Sequence, residues 1–255
     1  MKIGAVVLSV NGKFRSKSLH LLEDIPEVAE IVIFKSLTPK ILGCEEHKHN
    51  HNRGYTCNEH ATALSHQAAR NFAFTKDWDW TIFVEDDAEI LKDFISKILD
   101  VLSFNFSKPK HGIALHLFPE QFGLLKRLTD KIYKVIFLPD YAVGYVLDRQ
   151  ALFYCLQESN KVHCYLADWP RFIRKLDWYS YQTSLVIHPD LRNIQSYTNS
   201  DIELGRNQRF TEYSLWQRIL NSRFLMIVVL KLMRLIGNDY GNAPIQAQNF
   251  RTVRF

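Results

Sequence analysis

Short apolar runs, separated by amphipathic and polar stretches, organise the first two-thirds of the chain. Residues 2–10 are apolar almost throughout and read as a buried strand. Residues 30–34 read as a second strand, with a helix over 16–22 between them and Pro26 punctuating the connection. Periodicity disappears from 35 to 57, where 45–54 form a polar loop carrying His47, His49 and His51. Asn58 is a good N-cap for a helix running to about Thr75, with Ala61, Leu64, Ala68 and Phe72 on one stripe. Residues 80–84 are a short apolar run that ends abruptly in Glu85-Asp86-Asp87. A helix over 90–103, strands over 112–118, 132–138 and 142–147, and a helix from Arg149 to about Glu158 follow. A helical segment over 169–176 and an extended one over 184–187 close the pattern. Strands alternating with helices predict an α/β fold, a mostly parallel sheet flanked by helices, in one catalytic-sized domain over 1–204.

Composition narrows the class. With 47% hydrophobic and 13% aromatic residues among 255, the chain can bury a sizeable core, which excludes wholesale disorder. No run of about 20 uncharged apolar residues exists, so no ordinary spanning helix is expected. The apolar start lacks the longer basic region and small-residue cleavage site of a signal peptide. Four cysteines, Cys44, Cys57, Cys155 and Cys164, form neither a dense disulfide framework nor CxxC pairs, and a reducing cytoplasm is the expected setting. The net charge of +5 is unevenly spread. Residues 205–255 hold eight Lys/Arg against Glu212 and Asp239, a net of +6, leaving −1 for the body. Basicity belongs to the tail, which argues against a nucleic-acid-binding domain.

The strand that empties into three acids is the most informative feature. Ligands of open α/β sheets sit beyond the carboxyl ends of the strands. Adjacent acids there are costly unless a cation or several donors neutralise them. Hard oxygen ligands suit Mg²⁺ or Mn²⁺, which in turn bridge phosphate oxygens. In extended chain Glu85 and Asp87 point to one side and Asp86 to the other. Asp87 is therefore expected as the main metal ligand, with Glu85 or Asp86 contacting metal-bound water or sugar hydroxyls. The plainer alternative is a solvated turn with Asp87 capping the next helix.

Cys57-Asn58-Glu59-His60-Ala61-Thr62-Ala63-Leu64-Ser65-His66, followed by Thr81-Ile82-Phe83-Val84-Glu85-Asp86-Asp87, resembles glycosyltransferase family 25, the bacterial lipopolysaccharide and procollagen galactosyltransferases. So do Tyr141-Ala142-Val143-Gly144-Tyr145-Val146-Leu147, Ala167-Asp168-Trp169, and His188-Pro189-Asp190-Leu191 with Gln195 and Ser200-Asp201-Ile202. The likeness spans 1–204. It implies a GT-A fold, a nucleotide-sugar donor such as a UDP-sugar, a glycan or glycolipid acceptor, a divalent metal (Mn²⁺ or Mg²⁺) and inversion at the anomeric carbon. Ser9, Asn11 and Arg15, in the looser match after the first strand, join Ser65, His66, Glu85, Asp86, Gly144 and Tyr145 as candidate donor contacts.

Each assignment has a plain counterpart. Asp168 is the candidate base, or equally an N-cap ahead of Pro170. His188 either joins Asp87 and Glu85 at the metal or is a polar strand end. Ser65 and His66 contact the donor or are helix-surface polarity. Gly144 permits close backbone approach to a ligand or marks a bulge. The three alternating histidines match no closed zinc site and read as a polar loop. Residues 214–236 mix Trp216 and bulky apolar residues with Arg218, Arg223, Lys231 and Arg234, and their longest apolar run, 224–230, is seven residues. This basic amphipathic appendage suits an anionic membrane surface, or packs on the body or a second subunit. The expected protein is a metal-dependent hexosyltransferase of lipopolysaccharide or other cell-surface glycan synthesis, peripheral on the inner face of the cytoplasmic membrane. A metal-dependent nucleotide-sugar phosphohydrolase and a non-catalytic glycan- or membrane-binding module are the alternatives.

Overall fold

The computed structural model describes residues 1–43, 57–118, 124–137, 142–159 and 170–187. In chain order the strands and α-helices are β1 (Ile3–Ser9), β2 (Val28–Lys35), α1 (Cys57–Phe74), β3 (Trp80–Glu85), β4 (Glu89–Ile90), α2 (Phe94–Leu102), β5 (Ile113–His116), β6 (Leu124–Arg127), β7 (Ile132–Phe137), β8 (Gly144–Asp148), α3 (Arg149–Ser159), β9 (Asp177–Tyr181) and β10 (Val186–Ile187).

Eight strands form one sheet in the order β2-β1-β3-β8-β5-β9-β7-β6, and β4 pairs with β10 separately. β1 lies parallel between β2 and β3, and all seven of its residues are buried. A central strand covered on both faces reads as an unbroken apolar run, which is why Ile3–Ser9 has no polar alternation. β8 runs antiparallel between β3 and β5, β5 is parallel to β9, and β7 is antiparallel to both β9 and β6. Six strands therefore share one direction and β7 and β8 oppose it: an α/β, mostly parallel sheet flanked by helices. The carboxyl ends of β1, β3 and β5 and the amino end of β8 meet at one edge.

Two apolar layers close the faces. Ala69 and Ala73 of α1 and Ala151 and Leu152 of α3 pack with Val6, Phe83 and Leu147 on one side. Leu19 and Leu22 of a 3₁₀ helix (Lys17–Leu22) and Phe94, Ile98 and Val101 of α2 pack with Val7, Ile82 and Val146 on the other. Gly4 is required for the strand-to-loop fit, because an added Cβ there would lie 2.0 Å from the Trp78 ring.

Several elements differ from the expectation. The helix predicted over 16–22 is 3₁₀, and the one over 90–103 starts only at Phe94, after the short β4. The predicted 169–176 helix is described as a 3₁₀ turn at Arg171–Lys175, which leads straight into β9. β6 and β9 were not expected. Cys57 already lies inside α1, so Asn58 is helical and is not its N-cap. The buried line of α1 is also rotated. Ala61 is buried, but Leu64, Ala68 and Phe72 are half-buried, whereas Ser65, His66, Ala69, Arg70 and Ala73 are buried. Polar groups take the inner line because partners wait for them there. Among the described residues no helix is long and apolar enough to cross a membrane. The histidine loop, Asp168, His188, residues 188–204 and the 205–255 appendage lie outside the described residues.

Candidate active site

The β1–β3 ladder continues one step past the strand, since the Asp86 amide donates to Leu8 O at 2.9 Å. The chain then turns, so the two-residue alternation ends at Glu85. Asp86 and Asp87 share one side, and Glu85 faces the other. This corrects the expected pairing of Glu85 with Asp87: a turn, not an extended chain, carries the last two acids.

On the first side stands Arg15. Its Nε donates to Asp86 Oδ1 at 2.6 Å and its Nη2 to Asp87 Oδ2 at 2.8 Å. The backbone repeats the tie, with the Arg15 and Ser16 amides both donating to Asp86 O at 2.9 Å. The segment is shaped from the β1 end. Buried Ser9 accepts from the Lys13 amide at 3.2 Å and donates to Lys13 O at 2.9 Å, closing the turn that delivers Arg15. Asn11 is exposed on that turn. Burial works against the Arg15 cation, but its hydrogen bond to Asp86 and the charges of Asp87, Asp86 and Glu85 outweigh this and raise its pKa. The Asp86 side chain is 4% exposed, that of Asp87 21%, and that of Arg15 55%. Among the described residues, Asp86 Oδ2 is buried with no hydrogen-bond partner. A buried carboxylate oxygen without a partner costs about 1–3 kcal/mol or more.

On the other side, Glu85 Oε1 lies 3.7 Å from His66 Nε2, within charge contact but long for a hydrogen bond. His66 Nδ1 is 3.1 Å from Tyr145 Oη, and that oxygen accepts from Arg70 Nη1 at 3.2 Å. Burial holds the His66 pKa below its ordinary value despite Glu85, and raises that of Tyr145 to about 12, so both are neutral at neutral pH. Tyr145 stacks on Phe83 with ring centres 4.8 Å apart. Ser65 is spent on structure: it accepts from the Leu37 amide at 2.8 Å and donates to Ala61 O at 2.7 Å. Gly144 pairs with Val84 in regular register, without a bulge, and an added Cβ would meet Val186 at 3.3 Å and Leu117 at 3.4 Å. The crowding at Gly144 therefore comes from the protein's own apolar layer.

The structure thus gathers Ser9, Arg15, His66, Glu85, Asp86, Asp87, Gly144 and Tyr145 at one edge. Arg70 is the member that periodicity did not suggest. Its only signal is the i, i+4 relation to His66, which puts both on one helix face. The acids offer hard oxygen donors suited to Mg²⁺ or Mn²⁺. Among the described residues, however, no three of His, Cys, Asp and Glu gather as a complete metal-holding set. Two carboxylates with substrate phosphates filling the remaining positions is an ordinary arrangement for Mg²⁺. Asp86 and Asp87 fit that arrangement if Arg15 yields its contacts. A cavity of about 410 Å³ nearby in sequence is lined by Ser16, Lys17, Ser18, Glu89, Ile90 and their neighbours, and by none of the three acids.

No family model and no curated protein sequence matches the chain. Among solved structures it is similar to A197 from STIV, at 14% identity over 73% of this chain and 83% of that one, with a TM-score of 0.41. It is also similar to a CMP:2-keto-3-deoxy-manno-octonic acid synthetase complexed with CTP, at 10% identity over 78% and 98%, TM-score 0.35. A Drosophila β1,4-galactosyltransferase 7 mutant in complex with manganese, UDP-Gal and xylobiose is similar at 14% identity over 76% and 74%, TM-score 0.36. At such distances function has to be read from the side chains themselves.

Proposed function

We propose that the chain is a GT-A-like, metal-dependent glycosyltransferase of the family 25 kind. It moves a hexose such as galactose from a nucleotide-sugar donor, a UDP-sugar, to a glycan acceptor of the cell surface, with inversion. The observation that carries this is the bare, buried Asp86 Oδ2 beside Asp87 at the carboxyl edge of the sheet. It is the position at which open α/β sheets hold ligands. The Leu-Ser-His and Glu-Asp-Asp motifs support the family.

In this reading Asp86 and Asp87 would hold a divalent ion, Mn²⁺ or Mg²⁺. A divalent ion held there would supply Lewis-acid stabilisation of the leaving diphosphate. Arg15, released from the carboxylates, turns its donors toward the phosphate oxygens, where a guanidinium fork pairs well. Glu85, on the opposite side, accepts from hydroxyls of the sugar. The acceptor hydroxyl oxygen attacks the anomeric carbon as the bond to the diphosphate oxygen breaks. Its proton passes to a carboxylate, for which Asp168 is the candidate. His188 is a candidate further metal ligand. Residues 214–236 would hold the enzyme at the inner face of an anionic membrane, next to a lipid-linked lipopolysaccharide acceptor.

The test is a transfer assay with a panel of UDP-hexoses, truncated lipopolysaccharide acceptors and Mn²⁺. A metal-dependent glycosylated product is expected. Donor breakdown with no acceptor product would instead indicate a phosphohydrolase, and no metal-dependent donor binding a non-catalytic module.

A further inference from the structure

Arg70 is an unusual residue to find in a core. It is 2% exposed in the middle of α1, and among the described residues its side chain donates to a neutral phenol, Tyr145. Burying a cation is costly, and among the described residues no carboxylate pairs with Arg70 to offset it. The hydrogen-bond directions give it a role. A guanidinium has donors only, so Tyr145 Oη must accept from it. That leaves the phenol proton able to go to His66 Nδ1, at 3.1 Å. A neutral imidazole that accepts at Nδ1 carries its proton on Nε2. Nε2 is the atom that faces Glu85, at 3.7 Å. The guanidinium and the carboxylate thus sit at the two ends of a bridge of neutral groups, each favouring the same proton placement. Tyr145 cannot swing away, because it lies stacked on Phe83.

We propose that Arg70 is a positioning residue: acting through Tyr145, it locks His66 in the Nε2–H tautomer, so that the imidazole presents a donor to Glu85 and orients its carboxylate at the carboxyl end of β3. The role of Glu85 toward substrate rests on the function proposed above, whereas the tautomer does not.

Long-range ¹H–¹⁵N spectra of the imidazoles in the full-length, substrate-free protein at neutral pH test it. His66, assigned by its loss in His66→Gln, should show the Nε2–H pattern, with Nδ1 at the far-downfield shift of an unprotonated nitrogen. Tyr145→Phe should convert this to a tautomer mixture or to Nδ1–H. Arg70→Met should do the same, and Arg70→Lys, which restores a donor, should return it. Nδ1–H or a cationic ring in the wild type overturns the inference, as does an unchanged His66 pattern in a folded Tyr145→Phe. Should Arg70→Met fail to fold, the wild type, Tyr145→Phe and Arg70→Lys decide alone. In the transfer assay Tyr145→Phe should lower kcat roughly 10-fold with the donor KM little changed. Unaltered kcat with an altered tautomer overturns the positioning role. An inactive wild type that shows Nε2–H overturns the proposed function and leaves the hydrogen-bond assignment standing.

Discussion

Asp86→Ala separates a structural ion pair from a ligand site. The substitution removes the Arg15 Nε bond at 2.6 Å. A hydrogen bond between charged groups is worth about 1.5–3 kcal/mol, but Arg15 is half-exposed and water recovers much of its share. The same substitution relieves the bare Oδ2, whose desolvation costs about 1–3 kcal/mol. The terms nearly cancel, so stability without ligand should change by no more than about 1 kcal/mol, a shift of about 2–4 °C in Tm for a protein of this size. With Mn²⁺ and UDP at about 100 times Kd, the wild type should gain about 2.7 kcal/mol, or roughly 5–10 °C, and the variant nearly none. Differential scanning fluorimetry with and without the ligands reads both quantities. A ligand-free loss above about 3 kcal/mol would mark Asp86 as a buried structural partner. A full Mn²⁺-UDP shift in the variant would refute the reasoning altogether.

Arg15→Met should cost about 1–2 kcal/mol without ligand, because it leaves Asp86 and Asp87 facing one another. Urea titration should show that loss shrinking when Mn²⁺ is added, since the ion takes over neutralisation; an equal loss with and without Mn²⁺ would speak against shared occupancy. Burial lowers the folded-state pKa of His66, so below about pH 6.5 the unfolded state binds the extra proton. Stability should therefore fall on acidification through that range, at up to about 1.4 kcal/mol per pH unit, and His66→Gln should flatten this slope in chemical denaturation. Gly4→Ala places a methyl 2.0 Å from the Trp78 ring and should cost roughly 3 kcal/mol or more, readable as a lower urea midpoint with altered Trp fluorescence.

What the sequence disclosed follows from locality. β1 and β3 announced themselves because central strands buried on both faces are unbroken apolar runs. β9 did not: its Asp-Trp-Tyr-Ser-Tyr mixes polar and aromatic residues and follows directly on a 3₁₀ turn, so it merged with the helical segment before it. β6, at the sheet edge, carries Lys126 and Arg127 and looks like a surface loop. At the site the acids were visible as a cluster, but their geometry was not. Which way Asp87 faces depends on where β3 stops, and that is set by the Asp86 bond to Leu8 on a strand far away in sequence. The pairing of Arg15 with Asp86 spans 71 residues and leaves no local trace. Arg70 was hidden for the same reason, since the Tyr145 hydroxyl it donates to lies on β8, 75 residues away.

The account rests on Asp86 and Asp87 engaging a divalent ion together with a diphosphate. Isothermal titration of UDP into the wild type and into Asp87→Ala, each in Mn²⁺ and in EDTA, measures that engagement directly. Tight binding confined to the wild type in Mn²⁺ is the predicted result. Equal UDP affinity in Mn²⁺ and in EDTA, or a Mn²⁺-dependent affinity that survives in Asp87→Ala, would contradict it.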